Sequence, residues 1–270
     1  ERLFVTEAGK LTAWDLEADT DPGSWGLGVG DVLVSGIPSG NHQTNTVMAG
    51  INGSLLWHSG STCNVCSEED VRNAALLEVD PWTGEHSVVA SGVRNSYDGT
   101  WMDGVGYLFT DNGRDNLGEN VPPGELNRAY QAGLHFGFPH CHGGDIPDPR
   151  FGKGVDCSNF EPPVQRLGPH VAPLGVTFYD GNMFPEEYVN QIFIAEHGSW
   201  NRSKKIGYRV SLVRLDKTGQ AVSYEPFAEG WLQGQRAWGR PVDVLVAGDG
   251  SLLVSDDTAN VIYRISYRDR

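Results

Sequence analysis

Five segments of this chain repeat one strand pattern. Arg2-Leu-Phe-Val-Thr-Glu, Ser54-Leu-Leu-Trp-His-Ser, Gly106-Tyr-Leu-Phe-Thr-Asp, Gln191-Ile-Phe-Ile-Ala-Glu and Ser251-Leu-Leu-Val-Ser-Asp each carry three apolar residues, a small or polar residue, then usually an acid. Their spacings are 52, 52, 85 and 60 residues. An internal repeat constrains architecture more than any single motif, because each copy must be the same supersecondary unit. A continuous apolar run, preceded in two copies by Asn52-Gly53 and Asp249-Gly250, is the signature of a strand buried on both faces. Each run is followed by an alternating strand, such as Ala75-Leu-Leu-Glu-Val-Asp or Val261-Ile-Tyr-Arg-Ile-Ser-Tyr, whose period of two marks a polar face nearer an edge. Units of roughly 50 residues built from short antiparallel strands fit propeller blades. The expected fold is all-β, one propeller domain over residues 1–270 with about five blades, each apolar run lying as an inner strand. The 85-residue unit carries an insertion at about residues 139–173, rich in Gly, Pro and Asp, read as one long loop. A β-sandwich is the rival architecture, and it leaves five copies of one strand motif unexplained.

Composition narrows the partners. Twenty basic against 35 acidic side chains give a net charge of -15, so general attraction to nucleic acid or an anionic membrane is not expected. No apolar run reaches the length of a membrane span. The opening ERLFVTEAGK lacks a signal-peptide pattern, Glu1 is not an initiator Met, and the first residues already read as strand. The expectation is therefore a chain that is processed or cut within its fold. The four cysteines fall into two pairs, Cys63 with Cys66 and Cys141 with Cys157: two disulfides in a secreted chain, a metal site in a cytosolic one. A zinc site could be drawn from Cys63, Cys66, Cys141 and His142, without the paired spacing that makes such motifs specific. Haem attachment is excluded, since Ser67 follows Cys66.

Polar clusters sit beside the repeats, where a propeller's strand ends face a shared funnel. His42, in a turn flanked by Gly and Asn, is the candidate for proton transfer. Arg94, Arg202 and Arg240 are candidates for binding an anion through guanidinium forks, set against the alternative of strand-end salt bridges. Asp111-Asn-Gly-Arg-Asp115 offers three oxygen side chains around Gly113, suiting a hard cation such as calcium, although the EF-hand spacing is absent.

Taken together, Ser61-Thr-Cys-Asn-Val-Cys66, Thr110-Asp-Asn-Gly-Arg-Asp115, Pro122-Pro-Gly-Glu-Leu-Asn127, Ala195-Glu-His-Gly-Ser-Trp-Asn-Arg-Ser203, Gly239-Arg-Pro-Val and Gly250-Ser-Leu-Leu-Val-Ser-Asp-Asp257 resemble the soluble glucose/sorbosone dehydrogenase family. Those quinoproteins oxidise sugars with pyrroloquinoline quinone (PQQ) and calcium in the periplasm. The resemblance implies a six-bladed propeller, with about one N-terminal blade absent from this chain. It implies His42 as general base, and Arg94 and Asn95 at the quinone end of PQQ. Gly113 and Arg114 would hold calcium through backbone carbonyls, and Arg240 would bind a cofactor carboxylate. His197, Asn201 and Arg202 lie where further cofactor contacts are expected. The implied setting is periplasmic or secreted, with a small-molecule sugar as substrate and an electron acceptor of unspecified identity. Two other readings stand beside it: a catalytically silent propeller that binds a partner, and a calcium-dependent lactonase, which would need side-chain carboxylates converging on the axis. Under the dehydrogenase reading His42, Arg94, Asn95, Gly113, Arg114 and Arg240 should meet on one concave face.

Overall fold

The computed structural model describes residues 1–16, 28–42 and 46–268. Gln43 and Thr44 of the His42 segment lie outside the described residues. Five antiparallel sheets stand as the blades of a β-propeller. Blade one holds β1 (Arg2–Glu7), β2 (Lys10–Asp15) and β3 (Asp31–Val34). Blade two holds β4 (Val47–Ala49), β5 (Leu55–Ser59), β6 (Ala75–Val79) and β7 (His86–Ser91). Blade three begins with β8 (Gly99–Met102), β9 (Gly106–Asp111) and β10 (Pro123–Ala129). The chain then leaves the sheet. β11 (Leu134–His135) adds in parallel to β7, and β12 (Cys141–His142) pairs with β13 (Ile146–Pro147), before β14 (Gln165–Pro169) returns as the outer strand of blade three. Blade four holds β15 (Pro173–Phe178), β16 (Ile192–Glu196), β17 (Arg209–Leu215) and β18 (Ala221–Ala228). After the short ladder of β19 (Leu232–Gln233) and β20 (Arg236–Ala237), blade five holds β21 (Pro241–Val246), β22 (Leu252–Asp256) and β23 (Val261–Ile265).

Alternation along the repeat strands explains their continuous apolar runs. Leu55 and Trp57 pack toward blade one, whereas Leu56 packs toward blade three. Leu108 faces blade four while Tyr107 and Phe109 face blade two. Ile192 and Ile194 face blade three, and Phe193 and Ala195 face blade five. With a blade against each face, both sets of side chains must be apolar. On blade five Leu252 and Val254 are packed on blade four, while Leu245 and Ile262 are exposed.

Four of these runs, β5, β9, β16 and β22, are the second strands of their sheets, which corrects the expectation of an inner position; the first run, β1, is an edge strand of the described blade one. The innermost strands are β8, β15 and β21, which meet at the axis: Val176 N–H donates to Asp98 (2.9 Å), and a side chain on Gly175 would collide with Asp243. The second strand has a neighbour on either edge and a blade on either face, so β5 and β16 are wholly buried. The innermost strands border the central channel and are only partly covered, as in β8 and β21. The segment at 139–173 also divides differently from its reading as one loop, because β14 belongs to blade three and β15 opens blade four at Pro173.

All four cysteines are bonded in the expected pairs, with Cα separations of 6.2 Å for Cys63–Cys66 and 5.7 Å for Cys141–Cys157, which removes the zinc alternative.

Candidate active site

In an antiparallel pair the start of the first strand and the end of the second lie at the same end of the sheet. Residues just before β4, β8, β15 and β21, and just after β5, β9, β16 and β22, therefore share one face of the propeller. The acid that ends the repeat pins these loops. Asp111 accepts from the backbone N–H groups of Asn95 (2.6 Å) and Arg94 (2.9 Å), clamping the approach to β8. Asp256 does the same for Thr258 (3.0 Å) and Ala259 (2.8 Å). Burial pushes the Asp111 carboxyl up, as does Glu125 directly opposite on β10.

A cavity of about 230 Å³ opens on this face, and His42, Arg94, Asn95, Gly113 and Asn201 all line it, together with Asn112, Asp115, His170 and Trp200. Five of the nine site residues anticipated from sequence thus meet in one place. Arg94 is almost fully buried, and its five N–H donors meet five acceptors. Nε bonds Asn64 O (2.8 Å), Nη1 bonds the carbonyls of Asn112 (2.9 Å) and Gly113 (3.0 Å), and Nη2 bonds Asn64 Oδ1 (2.8 Å) and Asp115 Oδ2 (3.3 Å). In this arrangement Arg94 supplies a fixed positive charge to the cavity wall while its donors hold the Cys63–Cys66 loop to the turn after β9.

His42 Nδ1 lies 2.8 Å from Ser61 Oγ. Burial and then the Arg94 charge hold its pKa down at about 3, with a bond to the Ser61 backbone opposing them. The imidazole is therefore neutral through the whole neutral range. Across the cavity, Asn201 Nδ2 donates to Asp115 Oδ1 (3.1 Å) and lies 3.3 Å from His170 Nδ1. Asn201 Oδ1 is buried and has no hydrogen-bond partner. An orphaned amide oxygen on a side chain bonded to the Asp115 carboxylate, in a cavity that Gly113 also lines, is the kind of oxygen donor a hard cation takes.

The side chains of the other four anticipated residues, of which Arg114 is expected to act through its backbone carbonyl, have partners of their own. Arg114 Nη1 pairs with Asp148 (2.6 Å), which also meets His142 (3.2 Å). Arg240 donates to the carbonyls of His197 (3.0 Å) and Gly198 (3.1 Å) and lies over the Tyr208 ring. His197 Nε2 meets Asp257 (3.0 Å). Arg202 bonds Glu119 O, Asn120 Oδ1 (3.2 Å) and Lys204 O (3.1 Å). Arg240 directly precedes β21 and so lies on the same face, but neither it nor Arg114, expected to act through its backbone carbonyl, is among the residues lining this cavity. Ser61, Asn64 and His170 were not singled out from sequence. The available signals were that Ser61 and Asn64 flank or occupy the Cys63–Cys66 loop, and that His170 lies just before β15.

Known proteins share this fold. The fold is shared over 98% of this chain and 79% of the other with the holo PQQ domain of a pyranose dehydrogenase from Coprinopsis cinerea (TM-score 0.76, 20% identity). It is shared over 97% and 76% with a calcium structure of a Trichoderma reesei carbohydrate-active enzyme of family AA12 (TM-score 0.80, 19% identity). A PQQ-bound aldose sugar dehydrogenase from Streptomyces coelicolor matches over 96% and 70% (TM-score 0.68, 21% identity). In fold the chain stands with the propellers of PQQ-dependent sugar dehydrogenases, the class its motifs resemble. More particularly, residues 150–268 match the TrAA12-like family model. An uncharacterized protein of Borreliella burgdorferi is 42% identical over 221 residues, which is 80% of this chain and 58% of the relative's length. The PQQ-dependent pyranose dehydrogenase of Coprinopsis cinerea is 30% identical over 131 residues, 17% of its length. The chain thus spans little more than half of one curated relative and a sixth of the other.

Proposed function

We propose that this chain forms the site of a quinoprotein that oxidises an aldose or related sugar with PQQ and calcium, passing electrons to a further acceptor. The observation that carries the reading is the convergence of His42, Arg94, Asn95, Gly113 and Asn201, drawn from four blades, on one cavity of a fold shared with PQQ enzymes. The orphaned Asn201 Oδ1, the Asp115 carboxylate and the Gly113 carbonyl are the groups proposed to hold the cation. When bound, PQQ supplies a two-electron acceptor and calcium a Lewis acid.

The chain's own residues have separable tasks. His42 takes the proton of the sugar's C1 hydroxyl as the C1 hydride leaves, so that the sugar becomes a lactone. Neutrality is what fits it to accept a proton, although a pKa of about 3 makes it a weak base while the cavity holds no anion. An anionic ligand beside it would offset the Arg94 charge, the smaller of the two causes that lower it. Arg94, fixed by its five acceptors, stabilises negative charge developing at the cavity without having to reorganise. Asn95, with its N–H held by Asp111, lines the same wall. The two disulfides support a periplasmic or secreted setting.

The test is titration of the purified protein with PQQ, with and without calcium, followed by visible absorbance, then dye reduction across a panel of aldoses. The reading expects saturable, calcium-dependent binding and dye reduction with at least one sugar; absence of any saturable binding would sink it. One observation favours a second reading. Asp98 and Asp243 converge at the axis, and burial with the Asp243 charge pushes Asp98 up to about 7, so carboxylates do meet where a calcium-dependent lactonase would need them. Both already accept from backbone amides, of Val176 and Val244, and neither lines the cavity. Calcium-dependent lactone hydrolysis without PQQ would decide for it.

A further inference from the structure

We propose that Ser61 is the positioning residue for His42: it fixes the ring with the proton on Nδ1 and leaves the Nε2 lone pair as the site of proton uptake. The inference follows from counting hydrogens. A serine hydroxyl has one, and Ser61 Oγ donates it to the Cys63 carbonyl (2.8 Å), which can only accept. The contact from Ser61 Oγ to His42 Nδ1 (2.8 Å) therefore needs its hydrogen from the imidazole. Ser61 is completely buried, so no water competes for these bonds. Two backbone bonds keep the strands of chain in register, from His42 N–H to Ser61 O (3.2 Å) and from Asn41 N–H to Thr62 O (3.0 Å).

The Cys63 carbonyl is itself held. It belongs to the loop closed by Cys63–Cys66, and that loop is tied to Arg94 by two bonds to Asn64 and to the turn after β9 by Asp115 N–H donating to Asn64 Oδ1 (2.8 Å). The orientation of the histidine is thus anchored through Ser61 to the same short loop that anchors the arginine. A hydroxyl orients an imidazole as a carboxylate would, but adds no negative charge to stabilise the imidazolium. That agrees with a ring held neutral beside Arg94. The consequence for catalysis rests on the proposed role of His42; the tautomer does not.

The test uses the full chain without cofactor, labelled with ¹⁵N histidine, and reads two-bond proton–nitrogen correlations of His42, assigned with His42→Gln. The expected wild-type pattern is the Nδ1–H tautomer, with Ser61→Thr preserving it and Ser61→Ala shifting the ring toward the Nε2–H form that imidazoles favour in water. A wild-type Nε2–H pattern, or an unchanged pattern in Ser61→Ala, overturns the proposal. If Ser61→Ala does not fold, the wild-type tautomer alone still decides. In protein loaded with PQQ and calcium, Ser61→Ala should lower kcat roughly 10- to 100-fold with KM little changed, and Ser61→Thr should restore it. An Nδ1–H tautomer in a protein that oxidises no sugar would contradict the dehydrogenase reading and leave the positioning intact.

Discussion

Arg94 shows how a residue chosen for one task can be read differently once its partners are visible. As a guanidinium near a suspected anionic cofactor it suggests a ligand contact, yet all five donors are already committed within the protein. Number of partners is a tertiary property, and nothing local to Val93-Arg94-Asn95 encodes it. Removing the side chain would take the ion-pair partner from Asp115 and the guanidinium donors from the carbonyls of Asn64, Asn112 and Gly113. Arg94→Ala should therefore cost about 3 to 5 kcal/mol in urea unfolding, and a loss below about 1 kcal/mol would show the bonds to be incidental. His42 lines the cavity as the motif resemblance implies, whereas its own sequence neighbourhood marks it only as one candidate imidazole in a turn. Ser61 was not legible, since its value lies in a contact across 19 residues of chain. Two buried groups make the pH dependence of stability specific. His58, between Ser96 and the Tyr107 hydroxyl, is held down to about 3 by burial. The unfolded chain then binds the extra proton between about pH 3 and 6.5, so the native state loses stability as pH falls through that window. Asp98 is pushed up to about 7, so it acts in the opposite sense: the native state binds the extra proton between about pH 4 and 7, and loses stability as pH rises through it. Relative to His58→Gln, the wild type should lose stability on acidification from pH 6.5 to 4.5; relative to Asp98→Asn, it should lose stability on raising pH from 4 to 7. Each slope approaches at most about 1.4 kcal/mol per pH unit, and parallel urea midpoints in either pair would contradict the assigned shift.

At the scale of elements, the second strands announced themselves because packing on both faces leaves them no polar side. Outer strands have no such requirement. β14, Gln165-Arg-Leu-Gly-Pro169, ends in a proline and carries an arginine, which an edge strand tolerates, and such a sequence reads as part of a loop. The two disulfides sit in different elements and should behave differently. Cys141–Cys157 closes a loop of 16 residues within the excursion between β10 and β14, and replacing both cysteines by serine should destabilise the protein by about 3 kcal/mol. Cys63–Cys66 closes a far shorter loop and constrains the unfolded chain less, but it holds the acceptors of Ser61 and Arg94. Its removal should leave the melting temperature closer to wild type while weakening PQQ retention more than removal of the other pair does. Calorimetry and a PQQ titration on the two double variants compare these directly, and equal effects on retention would argue against a role for the short loop in the site.

At the scale of the molecule, five blades bring distant loops to one face because every blade places the start of its first strand beside the end of its second. That geometry was predictable from the repeat; which loops reach the cavity was not, because Arg240 and Arg202 share the pattern but find partners of their own first. The account's central claim is that this cavity is a redox site whose base is His42. Single-turnover reduction of PQQ bound to the protein by excess aldose, followed by visible absorbance in wild type and His42→Ala, tests it most directly. The account predicts that both proteins bind PQQ with calcium, and that the variant is reduced about 10²- to 10⁴-fold more slowly. Reduction of both proteins at the same rate would contradict it.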